Sequence, residues 1–72
     1  MTAAAEYRSR GYNLDPELGL WYKVITDTIR RSRKAYAGGI EPGDQYREFA
    51  VRYICDRTGE KRIERSRIKL DL

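Results

Sequence analysis

The chain has 72 residues, 40% of them hydrophobic and 36% charged, with fifteen Lys and Arg against eleven Asp and Glu for a net charge of +4. This length suits one small domain. A single cysteine, Cys55, excludes an internal disulfide, and the lack of histidine excludes a Cys/His metal site.

Leu, Ile, Val and Phe together number 14, a level usually associated with weak folding. Six tyrosines and one tryptophan must therefore supply much of the core, and self-association is the support left to so small a domain. No run approaches the roughly 18 apolar residues of a membrane span, and the opening MTAAAEYRSR lacks the apolar centre of a secretory signal. A cytoplasmic protein with a reduced thiol is expected.

In chain order, residues 1–14 are poor in branched apolar side chains and read as a flexible arm, with a turn of helix at TAAAEYR and an anchor in Tyr7, Tyr12 and Leu14. The domain proper, 15–72, opens on a start signal. Asp15 is a ready N-cap, Pro16 fits the first helical position and Glu17 complements the helix dipole. Leu18, Trp21, Tyr22, Ile25, Ile29 and Tyr36 then recur in steps of three, four or seven, so an amphipathic helix is predicted over 16–37, closed by Gly38 and Gly39. The stretch LWYKVIT also alternates and has strand propensity, which is the competing reading.

GGIEPGDQ at 38–45 is a loop by composition. YREFAVRYICD is the best strand, with Phe49, Val51, Tyr53 and Cys55 on one side and Glu48, Ala50, Arg52 and Ile54 on the other. Trp21, Tyr22, Phe49 and Tyr53 are the expected core rings. DRTGEK supplies a hairpin turn around Gly59, and KRIERSRIKLDL returns as a strand with a bulge near Ser66, or as a short helix. The fold class is therefore α+β: one amphipathic helix packed on a C-terminal antiparallel hairpin, 46–70, completed by dimerisation through sheet edges or helix faces.

The positive charge sits in two blocks. Residues 30–34 hold Arg30, Arg31, Arg33 and Lys34 with no acid, and residues 49–72 hold seven bases against four acids. Arg62, Arg65, Arg67 and Lys69 belong to the second block, with the last three on one face of an extended strand. Either block alone fits a solvated face. Together they predict a surface for an anionic partner, with Tyr36 and Tyr46 as candidates for stacking on bases.

Catalysis is not expected. Cys55 lacks the histidine that would make it a thiolate and reads as a buried structural cysteine. The acids stand beside bases, as surface ion pairs do, and no Gly-rich phosphate loop is present. The expectation is a non-catalytic, cofactor-free and metal-free binding protein of the nucleic-acid-associated accessory or regulatory class. The alternative is an adaptor or assembly factor docking on an acidic surface of a larger complex.

Overall fold

The structure is a computed structural model that describes residues 2–70. A short helix, α1 (Ala3–Ser9), precedes four strands: β1 (Asn13–Asp15), β2 (Leu20–Arg31), β3 (Gln45–Cys55) and β4 (Lys61–Lys69). The strands pair antiparallel in chain order as one sheet, a mostly β, hairpin-rich α+β fold. The molecule measures 48 × 19 × 18 Å. Its radius of gyration is 15.6 Å, against about 11 Å for a compact domain of this length.

The helix predicted over 16–37 does not form. Asp15 does cap backbone donors, with its Oδ1 accepting from the N–H groups of Glu17 and Leu18 at 3.1 and 3.2 Å. This capping closes a turn and not a helix, because Gly19 donates to the Asp15 carbonyl in the left-handed conformation, φ +64°, and redirects the chain into β2. From there Val24, Ile25, Thr26, Thr28 and Ile29 form a β-branched run that resists helix and fits a strand. The hairpin predicted over 46–70 is present. Its turn repeats the first one: Gly59, φ +75°, donates to the Cys55 carbonyl four residues back.

The last segment is a strand in continuous register with β3, without the bulge anticipated near Ser66. Ile63 and Ile68 consequently lie on opposite faces and are both exposed. The irregularity lies instead in β2. Val24 pairs with Val51 and Thr26 with Ala50, leaving Ile25 as the extra residue. Before this bulge Trp21 and Lys23 share a face with Ile54 and Arg52; after it Thr26, Thr28 and Arg30 take over that face.

Residues 2–14, read from the sequence as an arm, form α1 and the start of β1. Thr2 caps the helix. At its other end the Tyr12 N–H reaches the Tyr7 carbonyl and the Gly11 N–H the Arg8 carbonyl, both at 3.0 Å, with the Tyr7 and Tyr12 rings in contact. This is a glycine C-cap with its apolar clasp. The helix lies on Trp21, with the Tyr7 ring 5.5 Å from the indole centroid and Arg8 over the indole at the same distance. Trp21, Tyr12 and Ile54 make the buried cluster, flanked by Ala4, Tyr7 and Leu14. The indole N–H donates to Asp56 at 2.8 Å.

At the far end of the same face the loop 32–44 folds back. Tyr36 bridges Ile40, Gly38 and Gly39 form the turn between them, and Ile40 and Tyr46 are buried. Both covering segments therefore lie on one side of the sheet. The expected core face of β3 is corrected accordingly: Ala50 and Ile54 are buried, whereas Phe49, Val51 and Tyr53 look out from the uncovered side with Tyr22.

Candidate anion-binding site

β2 leaves the sheet through its cationic end. Arg30 is the last residue of β2 on the covered face, and its cross-strand partner is Tyr46, whose partner on the other side is Lys69. The chain then turns at Ser32, a buried residue held from three sides. Its N–H donates to the Asp44 carbonyl at 2.8 Å, its carbonyl accepts from Gly43 at 2.9 Å, and its hydroxyl donates to the Lys34 carbonyl. This clamp fixes the start of the loop at the sheet. It also sets Arg33 and Lys34 beside Arg30 and Arg31.

The result is an open cavity of about 710 Å³ lined by Arg30, Arg31, Ser32, Arg33, Tyr36 and Tyr46, within the size range of ligand sites. The guanidinium of Arg31 donates to the Gly43 carbonyl at 3.0 Å, which steadies one wall. Lys34 stands over the Tyr36 ring at 5.3 Å, and Arg67 of β4 lies over it at 4.2 Å. Tyr36 and Tyr46 meet with their ring centroids 5.7 Å apart.

The ionic partners separate the cations into two groups. Arg67 pairs with Glu48 at 3.3 Å and Lys69 with Asp44 at 3.4 Å, so the acids beside β4 neutralise much of that strand. Asp44 also accepts from the Glu41 N–H at 2.9 Å, the main cause of a carboxyl pKa held below its ordinary 3.8, with Lys69 adding to it. Among the described residues Arg30, Arg31, Arg33 and Lys34 have no carboxylate within ion-pair distance. Three cations in the wall of one cavity and a fourth at its rim, unpaired among the described residues, raise the local potential for an anion.

The sequence-predicted site residues thus fall into distinct places. Arg30, Arg31 and Arg33 line the cavity, and Lys34 and Arg67 converge on Tyr36 at its rim. Lys69 joins through Tyr46. Arg65 shares the covered face with Arg67 and Lys69 but lies opposite Ala50, farther along β4. Arg62 is on the other face, opposite Tyr53, over whose ring it lies at 5.1 Å while pairing with Glu64. Of the two tyrosines, Tyr46 is only 4% exposed and Tyr36 partly exposed, so Tyr36 offers the ring surface. Sequence reasoning passed over Ser32; its signal was a small hydroxyl residue inside the RRSRK run, at the strand end.

Cys55 lies at the opposite end of the sheet in a small hollow of about 120 Å³ with Leu20, Tyr53, Glu60, Lys61 and Arg62. It is partly exposed. A hydrogen bond from the Thr58 side chain, with backbone donors of Thr58 and Arg57, holds its thiol pKa below the ordinary 9.0. No helix among the described residues is long and apolar enough to cross a membrane. Compared with known protein families, curated proteins and solved structures, the chain matches none.

Proposed function

We propose that this is a small non-catalytic binding protein of the cytoplasm that holds nucleic acid by its phosphates, as an accessory or regulatory factor. The observation that carries the reading is the placement of Arg30, Arg31 and Arg33 in the wall of one open cavity with Lys34 at its rim, none with a carboxylate partner among the described residues, beside the partly exposed ring of Tyr36. Guanidinium groups grip phosphate oxygens bidentately, and neighbouring guanidiniums on a strand end and its loop can follow successive phosphates of a backbone. Tyr36 adds a ring for an unpaired base, which favours single strands over duplex.

The test is fluorescence anisotropy of labelled single- and double-stranded oligonucleotides of mixed sequence, at two salt concentrations. Neutralising about four phosphates gives a log–log salt slope of roughly −3 to −4, largely independent of sequence. Arg30→Glu/Arg31→Glu should abolish binding while leaving the circular dichroism unchanged. An absence of binding at low salt refutes the reading and turns the search to acidic protein surfaces.

A further inference from the structure

We infer that the uncovered face of the sheet is a contact between two copies of this chain, packed sheet on sheet. Three observations converge on that occupant.

The first is where the apolar side chains went. α1 and the loop 32–44 both cover the side of β3 that carries Glu48, Ala50, Arg52 and Ile54. The side left bare carries Phe49, Val51 and Tyr53, flanked by Tyr22, Val24 and Ile29 of β2 and Ile68 of β4. Val24 is 52% and Ile29 66% exposed. Bare apolar surface spread over three adjacent strands is the usual mark of an interface.

The second is area. The chain exposes 5619 Å², whereas a monomeric protein of its mass exposes about 4,700 Å². The surplus is of the order of the roughly 800 Å² that each partner gives up in a stable interface. The long dimensions of the molecule, 48 × 19 Å, outline a face large enough to supply it.

The third is charge, which distinguishes a second copy from nucleic acid. Among the described residues of the bare face, Asp27 is held bidentately by Arg47 at 2.8 and 2.7 Å, and Glu64 pairs with Arg62 at 3.4 Å. The centre of the face is thereby neutral and repels neither itself nor a like partner. Two identical sheets also have the same twist, the condition for aligned packing about 10 Å apart. In such a pair the two cationic cavities stay on the outer sides.

Sedimentation velocity of the full chain from about 1 to 300 µM tests the inference, since a dimer forms by mass action. The expected mass at the top of the range is twice the 8.5 kDa of one chain. Val24→Lys/Ile29→Lys should sediment as a monomer with unchanged circular dichroism, while Ile63→Lys, on the opposite face, should still dimerise. Arg30→Glu/Arg31→Glu should dimerise too, so this result stands apart from the phosphate reading. Hydroxyl-radical footprinting of the unmodified chain should show Tyr22 and Phe49 becoming protected as concentration rises, with Ile63 unchanged. A wild-type monomer throughout, a dimer that survives Val24→Lys/Ile29→Lys, or unchanged Tyr22 and Phe49 reactivity overturns the inference.

Discussion

The guanidinium of Arg67 lies 4.2 Å from the centre of the Tyr36 ring, tying the last strand to the loop that leaves the second. Glu48 steadies the same guanidinium at 3.3 Å. Replacing Arg67 by Ala should therefore loosen the loop more than the sheet. The expected loss is about 0.5–1 kcal/mol. Amide exchange at Tyr36, whose N–H donates to Ile40 at 2.9 Å, should accelerate while the centre of β3 stays protected. Equal acceleration at both places would mean that the clasp supports the whole fold.

Trp21 is 1% exposed and carries α1 on one side. Trp21→Ala should cost about 3–5 kcal/mol, enough to unfold most of a domain this small. Trp21→Phe keeps a ring but loses the donor to Asp56, for a further cost of about 1 kcal/mol beyond lost volume. Urea titration followed by circular dichroism measures both. Adding Asp56→Ala to Trp21→Phe should recover part of that polar cost.

Acid should weaken the fold through two carboxylates. The hydrogen bond from Arg47 lowers the Asp27 pKa from its ordinary 3.8, and the Glu41 N–H does the same for Asp44. A depressed folded-state pKa contributes stability that is full above the unfolded value and is lost as pH falls through the folded value. Urea midpoints should thus be flat from neutrality to about pH 5 and fall below about pH 4. Asp27→Asn and Asp44→Asn should each lower the neutral plateau slightly and flatten the acid limb.

The Cys55 thiol should ionise at lower pH than its ordinary 9.0, which a disulfide reagent reads out as the pH dependence of its modification rate. Its lowered pKa comes first from the Thr58 side chain. The pH profile of the modification rate should have its midpoint below 9.0, and Thr58→Val should move it upward. An unmoved midpoint would assign the effect to the backbone donors of Thr58 and Arg57.

The second hairpin was legible because β3 alternates and Gly59 marks its turn. Residues 16–37 misled because β2 carries apolar residues on both faces: Trp21 in the core, Tyr22, Val24 and Ile29 outside. Steps of three and four appear whenever a strand with two apolar faces is interrupted by an extra residue, and they imitate a helix face. The β-branched density of VITDTI and the glycine after DPEL were the local signals for strand. YRSRGY held another, with Gly11 between Tyr7 and Tyr12 forming a helix stop. The clustering of the first basic block was legible as charge. Its meeting with Arg67 was not, because that contact depends on the loop folding over Tyr46 across three strands.

Ile25 gives β2 two reading frames. Upstream of it odd-numbered residues address the covered side, and downstream of it even-numbered ones do. Because Ile25 steps out of the ladder, Arg30 stands with Tyr46 and Lys69 while Ile29 stands on the outside. Deleting Ile25 should leave both in place, because Val24 and Thr26 then face Val51 and Ala50 as neighbours and the alternation closes without a gap. Oligonucleotide binding and self-association should then both survive the deletion, and loss of both would mean that Ile25 is needed in the ladder. The two surfaces are in this sense matched to β3 by a residue that pairs with nothing in it.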